Sequence, residues 1–440
     1  MPRDTKPAAG TDAAQEALRL HALYRGKIQI LPKCPISNLG DLAVWYTPGV
    51  AAPSLAIAAE PELSFDYTNR GNTVAIVTDG TRVLGLGDIG PEAALPVMEG
   101  KALLFRHFGA VDAVPICLAT KDPAEIVRIV EALASSFGAI NLEDIAQPKC
   151  FRILDALRAR LPIPVWHDDQ QGTATVVLAG LINALAVVGK RSDAARIVLV
   201  GTGAVNIAVY RLLRTYGFPA RNFIACDSRG ALHRGRGDVA ADPVAFAEKW
   251  QLCTETNPGN LVGGIAEALR GADVCIAFSQ SGPGVIWPEW IRGMAKDAIV
   301  FACANPVPEI WPADALGAGA RICATGRSDF PNQVNNSLAF PGVFRGILDV
   351  RARALTDAIA IAAADELAKY GAEQGLREDR ILPAMTDWRI HARVAAAAGT
   401  CAQREGLARV TKDFAELYRD ASNAIQATHK AEAALHSAAC

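Results

Sequence analysis

Two short apolar runs in the first half of the chain each end in a pair of neighbouring acids. Ile140-Asn141-Leu142 leads into Glu143-Asp144, and Pro164-Val165-Trp166-His167 leads into Asp168-Asp169. Helical sequence separates the two runs, which is typical of parallel strands whose carboxyl ends lie at one edge of a sheet. Four carboxylates gathered there would repel one another unless a cation lay between them. The pattern therefore predicts a site for Mg²⁺ or Mn²⁺, which bind oxygen ligands.

Each acidic pair also has a simpler interpretation as a loop tip, because Asp is a favoured residue at helix N-termini. Strand alternation places the two side chains of an adjacent pair on opposite faces, although at a strand end both can turn toward one site. The occurrence of two pairs favours the metal site, and the sequence alone leaves both interpretations open.

Composition excludes several functional classes. The 440 residues include 44 Lys and Arg against 46 Asp and Glu, so no polybasic surface for nucleic acid or an anionic membrane is expected. The 10 cysteines form no CxxC pair, which favours a reducing compartment over disulfides or zinc. Residues 1–14 lack an apolar signal core, and the longest apolar run, 176–189, is too short for a bilayer and contains Asn183. We expect a soluble, cytoplasmic protein.

The elements around the acids alternate between strand and helix patterns. Strands are predicted at 73–78, 111–118, 139–141 and 163–166, and helices at 91–108, 123–137, 149–160 and 172–188. A further helix is expected within residues 1–28. These elements predict an N-terminal α/β domain over residues 1–169, which contains the candidate metal site.

A second strand, turn and helix unit begins at Arg196. Its strand runs into Gly201-Thr202-Gly203-Ala204, a helix follows to Tyr216, and the next strand ends in Asp227. Gly201, Gly203 and Ala204 allow a pyrophosphate to approach the helix N-terminus, and Asp227 can hold a ribose hydroxyl. Asn206 stands where the fingerprint has its third glycine, so the motif is incomplete. The context predicts a doubly wound, Rossmann-type dinucleotide-binding domain over residues 170–380.

Three more strands are predicted at 273–278, 298–302 and 321–324. Their ends, including Asn305, would face the nicotinamide of the bound cofactor. An Ala-rich helix is expected over 354–370. From residue 381 to 440 the chain reads as helical, and we expect this segment to pack on the first domain or on a partner subunit.

Tyr46 and Lys101 show how little spacing alone reveals about catalysis. Tyr46 lies in a loop rich in Pro and Gly, where a tyrosine usually packs and donates a hydrogen bond. Lys101 lies on a predicted helix, where a lysine is usually solvated. Neither residue is assigned to catalysis by its spacing.

Seven ordered motifs distinguish this chain: 45–50 (WYTPGV), 78–90 (TDG through Gly90), 96–101 (PVMEGK), 141–144 (NLED), 167–170 (HDDQ), 304–306 (ANP) and 332–336 (NQVNN). With these motifs, the chain resembles the malic enzymes of bacteria over roughly residues 20 to 410. It is similar to the form without the extra C-terminal domain related to phosphate acetyltransferases, for which the chain is too short.

The resemblance implies metal-dependent oxidative decarboxylation of (S)-malate to pyruvate and CO₂ with reduction of NAD or NADP. It implies that Lys101 is the general base and Tyr46 the general acid. It implies that the metal ligands are Glu143, Asp144 and Asp169, with Asp168 in a supporting role, and that malate is held by Arg82, Asn305 and Asn336. To act as a base Lys101 must be neutral, and the metal and Arg82 are expected to lower its pKa. The family and the helical ends of the chain also lead us to expect a homodimer or a higher homo-oligomer.

Other readings of the same residues remain open. A malolactic-type lyase or an oxaloacetate decarboxylase could use the same scaffold. An amino-acid dehydrogenase shares the two-domain plan but has no use for the acids, and a dinucleotide sensor or scaffold leaves Lys101 unexplained. Asp227 suits NAD, whereas Ser228, Arg229 and Arg234 could receive a 2′-phosphate, so the basic residues favour NADP.

Overall fold

The computed structural model of the chain describes residues 10–438. Residues 1–9 of the predicted N-terminal helix, and the last two residues of the chain, lie outside the described residues. Two separate sheets, one of four strands and one of six, form the framework. They agree with the predicted α/β class and with its doubly wound second half.

The first sheet has the strand order β2-β1-β3-β4, and all its pairs are parallel. Its part of the chain contains α1 (Gly10–Tyr24), α2 (Leu39–Trp45), α3 (Ala51–Ala59), α4 (Ser64–Tyr67), β1 (Thr73–Thr78), α5 (Pro91–Gly109), β2 (Asp112–Cys117), α6 (Pro123–Leu133), β3 (Ala139–Leu142), α7 (Lys149–Arg160), β4 (Val165–His167) and α8 (Thr173–Val188). Strands β1 and β3 are buried along their whole length, as expected of central parallel strands covered by helices on both faces.

The second sheet has the order β10-β9-β8-β5-β6-β7, and only the pair β6 and β7 is antiparallel. Its elements are β5 (Ile197–Val200), α9 (Ala204–Tyr216), β6 (Phe223–Asp227), β7 (Gly230–Ala231), α10 (Gly237–Ala240), α11 (Ala247–Glu255), α12 (Ile265–Leu269), β8 (Val274–Ala277), α13 (Pro288–Arg292), β9 (Ala298–Ala302), α14 (Pro312–Gly317) and β10 (Ala320–Thr325). The chain winds outward from β5 to β6 and then returns to β8 on the other side. That reversal between β5 and β8 is where doubly wound sheets bind ligands.

Four helices complete the chain: α15 (Phe340–Asp349), α16 (Asp357–Glu373), α17 (Trp388–Arg404) and α18 (Phe414–Ala438). The segment after residue 380, which was expected to be helical, consists of the two separate helices α17 and α18. Gly406 follows α17 with a φ of +69°, a left-handed conformation that ends a helix. Helix α18 packs on α5, where His107 Nδ1 lies 2.8 Å from Glu432 Oε2.

The predicted helix over 354–370 begins three residues later than expected. Thr356 has an extended backbone and its hydroxyl accepts the N–H of Ile359, so α16 starts at Asp357. Such a side-chain cap supplies a partner for an N–H that the helix itself cannot satisfy.

Helix α8 is long, apolar and largely buried. Together with the turn before it, Asp168–Val188 is long and apolar enough to cross a membrane, but 78% of its apolar window is buried inside the protein. Its polar Asn183 donates hydrogen bonds of 2.9 and 2.8 Å to the carbonyls of Ala368 and Ile381. These contacts are those of a core helix that packs against α16.

Candidate active site

The chain leaves strand geometry as soon as β3 ends. Asp144 has a φ of +53°, an unusual left-handed conformation for a residue with a side chain. Instead of pointing to opposite faces, Glu143 and Asp144 can therefore direct their carboxylates toward the same point. Strand alternation therefore does not separate the carboxylates of the first acidic pair.

A wide helical turn, Asp168–Gly172, replaces regular helix between β4 and α8. It carries the second acidic pair and is closely packed. A Cβ atom on Gly172 would lie 1.9 Å from Asp168 Oδ1 and 3.3 Å from the Cβ of Asn336. Only glycine fits here, and its absent side chain is what lets Asp168 and Asn336 lie side by side.

Glu143, Asp144 and Asp169 each offer one oxygen, and these three oxygens lie within 4.8 Å of one another. Asp169 is fixed by the backbone N–H of Asp144, which donates to its Oδ2 at 2.8 Å. Burial, reinforced by the charge of Asp169, raises the pKa of Asp144 to about 8. Burial also raises the pKa of Glu143. A hard divalent cation would relieve this crowding of negative charge, so the residues fit the expected metal.

Lys101 extends from α5 into the same cluster. Its Nζ lies 2.6 Å from Asp168 Oδ2 and 3.0 Å from Glu143 Oε1, and it sits 4.4 Å from the ring centre of Phe340. Only 9% of the Lys101 side chain is exposed, so Lys101 is not the solvated lysine that its position on a helix would ordinarily indicate.

In the absence of a bound ion, the pKa of Lys101 is governed by its burial and its two carboxylate neighbours. Burial lowers its pKa, but the charges of Asp168 and Glu143 act more strongly in the opposite direction and raise it overall. The expectation considered the metal and Arg82 but not these two contacts. In the ion-free protein Lys101 is thus an ammonium held by two carboxylates.

Two residues of the site were missed at the sequence level. Asn141 Nδ2 donates to Glu143 Oε2 at 2.8 Å, and the indole N–H of Trp166 donates to Asp168 Oδ1 at 3.0 Å. Each donor stands two residues before its acid, and residues two apart share one face of a strand. That spacing was visible in the sequence and is the signal that could have found them.

The three residues expected to hold malate lie on three different elements. Arg82 follows β1, is exposed, and donates its backbone N–H to the carbonyl of Asp144 at 3.0 Å. Asn305 follows β9, and Asn336 lies beside Asp168. The loop after β1 reaches the second sheet, because a Cβ on Gly85 would lie 2.7 Å from the carbonyl oxygen of Asn305. The end of β9 is thereby joined to the loop that carries Arg82.

Tyr46 is not joined to this cluster by any hydrogen bond among the described residues. Tyr46 is 71% exposed. The helices before and after it, α2 and α3, contain no buried residue. Within a single chain, the expected general acid therefore faces solvent.

The glycine turn lies at the reversal point of the second sheet. Gly203 precedes α9 without a side-chain cap, so the first N–H groups of Ala204 and its neighbours are free to bind an anion. Asn206, which replaces the third glycine, is buried and donates 2.9 Å hydrogen bonds to the carbonyls of Val200 and Gly201. The substitution thus holds the turn in place rather than disrupting it.

Asp227 ends β6 as expected, but it is not free. Arg236 donates to both of its oxygens at 3.1 and 2.9 Å, and Lys249 donates at 3.2 Å. Burial would raise the pKa of Asp227, but Arg236 and its other donors lower it further than burial raises it. Arg234, by contrast, donates to the carbonyl of Thr254 and takes no part in this group.

Comparisons with known proteins agree with this arrangement. Residues 25–158 match the malic enzyme N-terminal domain, and residues 170–403 match the malic enzyme NAD binding domain. A bifunctional malic/malolactic enzyme of Bacillus subtilis is 47% identical over 92% of this chain and 96% of its own. An NAD-dependent malic enzyme of Geobacillus stearothermophilus is 49% identical over 87% of this chain and 78% of its own.

Among solved structures, the malic enzyme of Entamoeba histolytica superposes with a TM-score of 0.94. It is 46% identical, and the match covers 97% of this chain and 89% of that one. The two matched ranges contain Glu143, Asp144 and the glycine turn, and Asp168 and Asp169 lie in the short stretch between them. The chain belongs to the malic enzyme family.

Proposed function

We propose that the protein catalyses the oxidative decarboxylation of (S)-malate to pyruvate and CO₂, with reduction of NAD or NADP. The observation that carries this proposal is the position of Lys101 between Asp168 and Glu143, beside three acids that can share a metal ion. An α-hydroxy diacid needs a proton acceptor at its C2 hydroxyl and a cation near its oxygens. This cluster supplies residues for both.

Glu143, Asp144 and Asp169 would hold Mg²⁺ or Mn²⁺, because three carboxylates are a donor set for a hard divalent cation. A cation bound there would supply polarisation of the substrate oxygens, and a bound nicotinamide would supply the acceptor for the hydride on C2. The residues of the chain bind malate, orient it and move its protons.

Lys101 can accept the proton of the C2 hydroxyl only after its ammonium has lost one. Asp168 Oδ2, at 2.6 Å, can receive that proton, so the two side chains act as one proton-holding pair. The indole N–H of Trp166 fixes the other oxygen of Asp168 and keeps the carboxylate directed at Lys101. Tyr46 would protonate C3 after CO₂ leaves.

Arg82, Asn305 and Asn336 would hold the two carboxylates of malate. A guanidinium can pair with one carboxylate, and neutral amides can donate to either without adding negative charge to a crowded site. Their convergence is supported by the contact of Gly85 with the carbonyl of Asn305 and by the proximity of Asn336 to Asp168.

A malate-dependent assay of NADH and NADPH formation with saturating Mn²⁺ tests the proposal, and the absence of turnover with both cofactors refutes it. The Lys101→Ala variant is expected to lose turnover while it still binds NADPH, as measured by fluorescence. If cofactor binding is lost as well, Lys101 is a structural residue. Lys121, an exposed lysine paired with Asp88, provides the matched control as Lys121→Ala.

A malolactic reaction is the second candidate, and the name of the Bacillus subtilis relative favours it. The same residues could release lactate with no net change in the cofactor. Product analysis separates the two reactions, because free NADH or NADPH accompanies only pyruvate.

We also propose that the protein forms a homodimer and that residues 28–55 lie at the interface between the two copies. This segment exposes large apolar side chains, among them Ile30 (97%), Leu39 (83%) and Leu55 (71%), and it carries Tyr46. Exposed apolar surface of this extent marks an interface. A second copy of the chain, bound to this segment, would also remove Tyr46 from solvent. It would thereby complete an active site that lacks its general acid within a single chain.

Sedimentation of the wild-type protein tests this assembly, and a monomer at catalytic concentrations refutes it. Mixing Lys101→Ala with Tyr46→Phe chains tests whether the site is shared. If Tyr46 serves the partner's site, the mixture regains part of the lost activity. If Tyr46 serves its own site, the mixture stays inactive although both variants dimerise.

The remaining parts of the proposal concern organisation and location. We assign catalysis to residues 1–169, cofactor binding to 170–380 and a packing role to 381–440, which the contact of α18 with α5 supports. We assign the protein to the cytoplasm, where its cysteines would stay reduced. The nine cysteines among the described residues are all free, which supports this assignment.

A further inference from the structure

A group of charged side chains surrounds the carboxyl end of β6. We call it the β6 charge cluster, and it consists of Asp227, Arg229, Arg236, Asp238 and Lys249. Asp227 Oδ1 accepts the backbone N–H of Arg229 at 2.9 Å and Arg236 Nη1 at 3.1 Å. Asp227 Oδ2 accepts Arg236 Nη2 at 2.9 Å and Lys249 Nζ at 3.2 Å. Both oxygens are thus bonded twice.

A carboxylate has about four lone-pair positions, and all four of Asp227 are occupied. Only 6% of its side chain is exposed. The 2′- and 3′-hydroxyls of an unphosphorylated ribose would have to displace Arg236 or Lys249 before they could bond to it. Those bonds join opposite charges and are stronger than bonds to neutral hydroxyls.

The cluster carries more positive than negative charge. Arg236 binds Asp238 as well as Asp227, with Nε and Nη2 at 2.7 and 2.8 Å from the two oxygens of Asp238. Arg229 also reaches Asp238, at 3.1 Å, but 71% of its side chain is exposed. Three cations therefore face two carboxylates. Arg229 and Lys249 remain accessible, at the strand end where the adenine ribose binds in a doubly wound sheet.

We infer that Arg236 and Lys249 determine the cofactor specificity, because they occupy Asp227 and leave a positive site that takes the 2′-phosphate of NADP. Asp227 then holds the cations and does not bind the ribose. This inference rests on the proposed function only in assuming that a nicotinamide dinucleotide binds at the glycine turn. It requires no assumption about the reaction.

Equilibrium binding of NADP and NAD, measured by calorimetry without malate or metal, tests the inference. Wild-type protein is expected to bind NADP at least about tenfold more tightly than NAD. Lys249→Gln is expected to weaken NADP binding about tenfold, because it removes a cation. It should change NAD binding much less, because Arg236 still bonds to both oxygens of Asp227. Arg236→Ala frees Asp227 as well as removing a cation, so it should also strengthen NAD binding.

Arg234→Ala is the matched control, because Arg234 is an exposed arginine two residues from Arg236 that lies outside the cluster. It should leave both affinities unchanged. Tighter binding of NAD by the wild-type protein overturns the inference, and so does an unchanged NADP to NAD ratio in Lys249→Gln. Since binding is measured without turnover, a protein that fails to oxidise malate can still pass or fail this test.

Discussion

Acids end strands in both sheets, but their surroundings have opposite charge. After β3 and β4, four acidic side chains lie around the ammonium of Lys101, which contacts Glu143 and Asp168, and the exposed Arg82 acts on Asp144. After β6, Asp227 and Asp238 lie among three basic side chains. The first group has more acidic than basic side chains, and the second has more basic than acidic ones.

The difference follows from what each group must bind. Ionising several buried carboxylates together is costly, which raises the pKa values of Glu143 and Asp144, and a divalent cation would supply the missing positive charge. A cluster with an excess cation instead attracts an anion such as a phosphate. In both groups, the excess charge of the side chains is opposite in sign to the charge of the proposed ligand. The predictions below test this comparison by changing the charge of one group at a time.

The largest effect is expected from Glu143→Gln, which removes one negative charge from the metal set. Turnover should fall by about a thousandfold and Mn²⁺ affinity should fall with it, because the cation loses a charged ligand. Electron paramagnetic resonance of free Mn²⁺ measures the affinity. Asp88→Asn, outside the cluster, is the control, and unchanged Mn²⁺ binding in Glu143→Gln would contradict the assigned metal set.

Trp166→Phe is expected to have an intermediate effect. It deletes the N–H that orients Asp168 but leaves the four acids and their charge in place. We expect kcat to fall about tenfold with unchanged affinities for Mn²⁺ and cofactor. In an Asp168→Asn background the same substitution should add little, because its partner is already altered. Equal and additive losses would show that Trp166 acts only through packing.

Asp238→Asn changes the second cluster in the opposite sense. Removing this carboxylate releases Arg229 and adds to the positive excess, so NADP should bind about three to five times more tightly and NAD should be unaffected. Calorimetry measures both affinities. The gain should shrink at high salt, and weaker NADP binding would contradict the role of charge in this cluster.

The smallest effect concerns pH and stability. The pKa of Asp144 is raised to about 8, so between about pH 4 and about pH 8 the folded protein keeps a proton that the unfolded chain has lost. Stability of the ion-free protein should fall as pH rises through that window, with a loss of about 2 to 4 °C in Tm. Mn²⁺ should remove this loss, and Asp144→Asn should flatten the profile in EDTA. A flat wild-type profile would contradict the raised pKa.

Much of the architecture was readable from local pattern. The alternation of apolar runs with helical segments predicted the strands and the positions of both acidic pairs. The Gly201 turn and Asp227 predicted the second sheet, because a tight turn and a strand-end acid recur in such units for backbone reasons. The same pattern predicted helical structure after residue 380 but gave no helix bounds there; the cap at Asp387 begins α17, and Gly406 follows its end.

The sequence by itself determined which residues could do chemistry: the four acids, Lys101 and the glycine turn lie in motifs whose types and order are local properties. The tertiary structure determined their ionisation and their hydrogen-bond partners. It placed Lys101 in contact with Asp168 and Glu143, which favour its ammonium form in the ion-free protein. It also paired the carboxylate of Asp227 with Arg236 and Lys249. Ionisation and hydrogen-bond occupancy depend on distances of a few ångströms between residues far apart in the chain, and such distances exist only after folding.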